Sequence, residues 1–154
     1  MNTQDRQLSY SLGYLTVVTG RLFANTFGRR IAAAGLEVTM EQWGILRMLL
    51  NEDGRTQDSL LPLTRYEKST LSRVLEGLEK KGLIERRRGG VDARRKEVFL
   101  TPKGSRIGMD GTDIVRATLA ELYEGIDQAE LDQCRAMLAL MQTRLLAMWH
   151  GEDI

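Results

Sequence analysis

Two groups of residues in this chain have types and spacings suited to chemistry, and the chemistry is ionic rather than catalytic. The first is the run Arg86-Arg87-Arg88-Gly89-Gly90-Val91-Asp92-Ala93-Arg94-Arg95-Lys96, six cations broken by a glycine pair and one aspartate. A glycine pair between two strand-like arms predicts a tight β-hairpin. So much positive charge at one tip repels itself unless a polyanion lies nearby. The second group is Lys68, Ser69, Thr70, Ser72 and Arg73, the polar part of an amphipathic stretch just upstream. A helix pair followed by a basic hairpin is the layout of a winged helix that docks on duplex DNA.

Enzymatic chemistry finds no equivalent footing, and the chain is not expected to be an enzyme. The single histidine, His150, has no serine or cysteine partner at a recognised spacing. One histidine and one cysteine, Cys134, do not make a zinc site unaided, so neither a metal nor a cofactor is expected. Gly104 and Gly108 fall in the start of a predicted helix and not in a phosphate-cradling loop.

The elements that must position these groups follow from periodicity. Leu8 to about Ala34 carries Leu8, Leu12, Leu15, Leu22, Phe23, Phe27 and Ile31 at helical spacing, closed by Gly35. Thr39-Met40-Glu41-Gln42 is a capping box opening a second helix, with Trp43, Leu46, Leu49 and Leu50 inward. Asn51–Gly54 is a turn, and Thr56 caps a short third helix to about Leu63. The fourth helix, Glu67–Lys81, buries Leu71, Val74, Leu75 and Leu78 and stops at Gly82. Leu83–Arg88 and Lys96–Leu100 are the hairpin strands, and Thr101-Pro102 opens a fifth helix. A sixth begins at Asp127 and carries Leu131, Cys134, Leu138, Met141, Leu145 and Met148 on a coiled-coil-like seam, with Met137, Leu140 and Leu146 on a second apolar side. Such a helix needs two partners, one of which another subunit can supply.

Bulk properties agree. The 154 residues suit one domain, or one compact domain with an added oligomerisation element. An apolar fraction of 42% and a charged fraction of 28% are ordinary for a folded protein. No apolar run approaches the ~18 residues of a membrane span, and Met1-Asn2-Thr3-Gln4-Asp5-Arg6 lacks the order of a secretory signal. With a single cysteine, a cytoplasmic location away from membranes is expected. The net charge of +1 hides an asymmetry: residues 64–103 hold twelve Lys/Arg and six Asp/Glu, a balance of +6, against −5 elsewhere. Only the middle of the chain suits a phosphate backbone.

The chain resembles the MarR family of bacterial winged-helix transcription regulators. The likeness rests on Val38-Thr39-Met40-Glu41-Gln42-Trp43-Gly44-Ile45-Leu46, on Thr56-Gln57, on Lys68-Ser69-Thr70-Leu71-Ser72-Arg73 through Lys80-Lys81-Gly82-Leu83-Ile84, and on Asp92-Ala93-Arg94-Arg95-Lys96 with Leu100-Thr101-Pro102-Lys103-Gly104. It implies a mainly α fold with a small β-hairpin wing. Residues 1–36 and 102–150 would form a helical dimerisation region around a winged helix-turn-helix at 37–101. It also implies a homodimer that reads a near-palindromic operator in double-stranded DNA, usually to repress. The fourth helix would enter the major groove and the Asp-x-Arg wing the neighbouring minor groove. Many members respond to a small aromatic or phenolic effector where the dimerisation region meets the winged helix. Tyr10, Tyr14, Phe23, Phe27, Trp43 and Met48 are candidates to line such a cavity, with core packing as their default; the effector-binding residues stay unknown.

Within that frame Arg73 takes the main base-reading role, because a guanidinium can bridge guanine O6 and N7. Ser69 and Thr70 divide between bases and backbone, and Lys68 and Ser72 go to phosphates. On the wing, Asp92 can accept from the Arg94 guanidinium and aim it into the minor groove, while Arg88 and Arg95 lie along phosphates. Two alternatives stand beside this reading, a redox-responsive regulator using Cys134 and a non-specific architectural DNA binder. Cys134 is expected to be packed on the apolar seam of the sixth helix. The chain departs from the family pattern at Pro62, expected to bend or shorten the third helix, and at Arg65, which replaces a glycine where a left-handed turn is needed.

Overall fold

The computed structural model describes residues 11–88 and 96–150. Six helices and three strands are found among them: α1 (Leu12–Ala33), α2 (Met40–Asn51), β1 (Arg55–Thr56), α3 (Gln57–Thr64), α4 (Lys68–Lys80), β2 (Ile84–Arg88), β3 (Lys96–Leu100), α5 (Pro102–Leu122) and α6 (Gln128–His150). The start expected for the first helix at Leu8 lies outside the described residues. The ends that are described carry local signals. The Ser11 hydroxyl accepts from the Tyr14 amide at 3.2 Å. Thr39 and Gln42 complete their capping box at 3.2 and 3.3 Å, and Thr56 takes the Ser59 amide at 3.2 Å. Each such cap contributes about 1 kcal/mol.

The strands form one antiparallel sheet in the order β1-β3-β2. Ile84 stands opposite Leu100, Arg86 opposite Val98 and Arg88 opposite Lys96. The two-residue β1 was not legible in the sequence. It pairs Arg55 with Val98 and Thr56 with Glu97. Thr56 is therefore both a strand residue and the N-cap of α3.

Residues 1–118 and 119–154 form two compact units. The first holds a core of Ile31, Ile45, Leu46, Leu49, Leu60, Leu71, Leu75, Leu78, Leu83 and Val98, all fully buried. Each buried side chain of this size is worth about 1.5–3 kcal/mol. Ile45 was not among the residues expected inward, whereas Leu50 and Val74 were and are only half-buried. On α1 the expected stripe divides. Phe27 and Ile31 are buried, while Leu12, Leu15 and Leu22 are exposed.

The first half of α5 joins this core by backbone contact. Gly104, Gly108 and Gly111 recur at steps of four and three along one helix face. An added Cβ would lie 1.8 Å from the Leu83 carbonyl oxygen at Gly104, 2.9 Å from Leu50 Cδ1 at Gly108, and 2.5 Å from the Trp43 ring at Gly111. Only glycine lets the helix lie this close.

The second unit contains the last turn of α5, a turn at Gly125 with φ +78°, and α6. Met137, Leu138, Leu140, Leu145, Met148 and Trp149 are exposed on α6. Cys134 is exposed too, which corrects the expectation of a packed cysteine. The architecture is a mainly α fold carrying a winged helix-turn-helix, with α3 and α4 as the helix pair and β2–β3 as the wing.

Candidate nucleic-acid interface

The α4 helix presents its polar face because its leucines are taken by the core. Leu71, Leu75 and Leu78 are fully buried, and Lys68, Ser69 and Arg73 on other faces are exposed, with Thr70 and Ser72 half-buried. Ser69, Arg73 and Lys80 recur at i, i+4 and i+11, so they share one stripe. Among the described residues nothing pairs with Arg73 through a hydrogen bond or ion pair. The N-terminus of α4 is also open. Glu67 is the N-cap but its side chain makes no cap bond, and the first helical hydrogen bond runs from the Leu71 amide to the Glu67 carbonyl at 3.0 Å. The amides of Lys68, Ser69 and Thr70 precede that bond and point along the helix dipole, an arrangement that favours an anion.

One expected contact is altered. The Ser72 hydroxyl donates to the Glu76 carboxylate at 3.1 Å, so it is already engaged within the helix. Glu76, not singled out in the sequence, follows Arg73 by three residues and so puts an acceptor on the adjoining turn of α4. A carboxylate there opposes phosphate and suits the amino group of a cytosine.

The wing carries less free charge than its composition suggests. Arg86 turns inward: its side chain is 18% exposed and its Nε lies 3.3 Å from Glu79 Oε2 on α4. Among the described residues its Nε and Nη2 have no hydrogen-bond partner. Arg87 stacks over the Phe99 ring at 4.7 Å and pairs with Glu85. Both arginines therefore brace the base of the wing. Arg88 ends β2 opposite Lys96 in the ladder. Asp92, Arg94 and Arg95, the remaining wing candidates, lie outside the described residues.

The turn between α3 and α4 resolves the two departures. The α3 helix continues past Pro62 to Thr64, so proline does not end it. Arg65 adopts the left-handed conformation at φ 57° and ψ 24°, with its amide on the Leu61 carbonyl at 3.2 Å. That conformation costs a non-glycine residue about 1–2 kcal/mol. Thr64 steadies the turn by accepting the Tyr66 amide at 3.3 Å. Burial, and after it the Glu41 carboxylate, hold the Tyr66 phenol above its ordinary pKa.

Other candidates are not assembled. Phe27 and Trp43 are core residues, Phe23 meets Phe27 in a tilted pair at 5.5 Å, and Tyr14 is exposed at the N-terminal end of α1. Tyr10 lies outside the described residues. A 440 Å³ cleft between α1 and the start of α2 is lined by Ala24, Asn25, Gly28, Arg29, Thr39 and Met40 among others, and by none of those aromatic residues. On α6 Asp132 pairs with Arg135 at 2.5 Å, so that arginine is not free to activate Cys134. Among the described residues no three His, Cys, Asp or Glu side chains gather as for a metal ion.

Comparison with known proteins agrees with this geometry. Residues 34–95 match the model of the MarR family. A solved MarR family transcription regulator is 28% identical with a TM-score of 0.78, the match covering 98% of each chain. A second transcriptional regulator is 31% identical, covering 88% of this chain and 98% of its own, with a TM-score of 0.76. The S. aureus MepR–DNA complex is similar at 26% identity and a TM-score of 0.80, over 88% of this chain and 99% of that one. With a winged helix-turn-helix between long helices and these relatives, the chain belongs to the MarR family of transcription regulators.

Proposed function

We propose that this regulator binds duplex DNA sequence-specifically as a homodimer and represses transcription from a near-palindromic operator. The observation that carries the reading is the open end of α4. Exposed, unpaired Arg73 shares a face with Ser69 next to three amides that no side chain caps. In this reading Arg73 reads bases in the major groove, Ser69 and Thr70 serve bases and backbone, and Lys68 binds phosphate. Ser72 reaches a phosphate only by leaving Glu76. The wing residues Arg88, Arg94 and Arg95, with Asp92 aiming Arg94, reach the minor groove and its flanking phosphates. Two solved relatives are DNA complexes, MepR and the repressor CouR on a 23-mer duplex at 25% identity.

The exposed apolar residues of α1 and α6 support the dimer, since Leu12, Leu15 and Leu22 on α1 and Leu145, Met148 and Trp149 on α6 are exposed among the described residues. The segments 1–36 and 102–150 form the dimerisation region and 37–101 the reading module, with the two α4 helices about 34 Å apart, one duplex turn. The protein acts in the cytoplasm; among the described residues no helix is long and apolar enough to cross a membrane. A small aromatic or phenolic effector relieves repression by binding the two spacings of the α4 pair unequally.

The test is selection of bound sites from random duplexes, followed by affinity measurements across salt concentrations. An enriched inverted repeat, bound at least ~10³-fold tighter than random DNA, is expected. Binding with no preferred sequence would replace this reading by a non-specific architectural one, and a single-subunit species in solution would end the dimer.

A further inference from the structure

The amide of Gln42 is buried at the crossing of α2 and α4, with the residue 9% exposed. Its Oε1 accepts from the Thr39 amide at 3.3 Å and from Lys81 Nζ at 2.9 Å. Lys81 Nζ also donates to the Glu37 carbonyl at 2.6 Å. With two donors on the oxygen, the network fixes which end of the amide faces which way. The Nε2 end faces α4, and a Cβ on Gly77 would lie 2.7 Å from it. The end of a free glutamine swings aside from such a contact. Gln42 is held instead, by its own capping box on α2 and by the lysine that follows α4.

We infer that Gln42 is a positioning residue, whose clamped amide against the bare Cα of Gly77 sets how deeply α4 sits on α2 and so where Ser69 and Arg73 are presented. The inference rests on the DNA-binding reading proposed above. Gly77 is one turn beyond Arg73 and two beyond Ser69 on the same rigid helix, so displacement at the seat is carried to both. The capping box thereby has two duties, starting α2 and gauging the recognition helix. Lys81 closes the gauge from the far side.

The full-length protein and its Gly77→Ala, Gln42→Ala and doubly substituted forms separate this role from mere packing. Two readouts are needed: the urea midpoint at fixed protein concentration, and the ratio of affinities for a selected site and for random duplex. Alanine is intrinsically the better helix former. With Gln42 in place, Gly77→Ala is nevertheless expected to lower the midpoint; with alanine at 42 it raises it. The same Gly77→Ala change lowers the affinity ratio about tenfold, the scale of one mismatched base pair, and Gln42→Ala in the same chain restores the ratio to within about threefold of the Gln42→Ala parent. A rise in midpoint in both backgrounds would overturn the inference, as would a ratio untouched by Gly77→Ala. If the wild-type chain selected no site at all, the proposed function would fall. The sign of the midpoint change would still decide whether the seat exists.

Discussion

The most demanding prediction concerns Gly104, the third residue of α5. Its ideal Cβ position lies 1.8 Å from the Leu83 carbonyl oxygen, 2.8 Å from the Leu83 carbonyl carbon and 3.2 Å from its Cα. Everything met is backbone, so no rotamer change relieves Gly104→Ala; the start of α5 must move away from the start of β2. Two bonds stand in the way of that motion. The Thr101 amide donates to the same Leu83 oxygen at 3.1 Å, and the Gly104 amide donates to the Thr101 hydroxyl at 3.0 Å. Overpacking costs about 1–3 kcal/mol, and a disrupted cap about 1 kcal/mol more. Alanine's helix propensity returns at most about 1 kcal/mol. The expected net loss is about 1–3 kcal/mol, read as a lower urea midpoint with an unchanged slope. Gly111→Ala, against the buried Trp43 ring, is expected to cost less. Gly108→Ala, whose nearest neighbour is the end of the Leu50 side chain, should cost least. Gly44→Ala meets nothing within 4 Å and is expected to be neutral or stabilising. An order in which Gly104→Ala is no worse than Gly44→Ala would refute the close backbone approach of α5.

Three shorter predictions accompany it. Arg73→Ala is expected to weaken binding to a selected operator by about 1–3 kcal/mol and to relax preference at one base position; an equal loss on all sequences would make Arg73 a phosphate contact. Arg65→Gly relieves a left-handed arginine at the price of chain entropy, so a gain of roughly 0.5–1 kcal/mol in urea unfolding is expected. A loss would mean that the arginine side chain is needed in the turn. Tyr66 has a folded pKa raised above 10.0, so its contribution is complete below that pH and disappears as pH climbs through the higher folded value. Tyr66→Phe should flatten the decline in urea midpoint as pH rises above 10.0; an unchanged decline would assign it to other groups.

What could be read from the sequence was local. The capping box at Thr39, the cap at Thr56, the stop at Gly82 and the buried leucines of α4 depend on residues within a turn or two of each other, and each appears where its spacing put it. Non-local facts were not legible. Gly104, Gly108 and Gly111 look like weak points in a helix until the opposing elements are present. Arg86 and Arg87 count as wing cations in the sequence, yet Glu79 is seven residues from Arg86, and Phe99 reaches Arg87 only through strand pairing. The strand character of Arg55–Thr56 depends on β3, about 40 residues later. Pro62 sits inside α3, which runs on to Thr64, and Leu60 on the same helix is fully buried, a tertiary contact that the local sequence does not show.

Thr56 has a mechanical consequence. One residue serves as the last rung of the sheet and the first hold of α3, so no swivel separates the hairpin from the helix pair. A backbone rotation there would break the ladder to Glu97 and the bond to Ser59 together. On the proposed DNA-binding reading, the base of the wing and the start of α3 would therefore shift together.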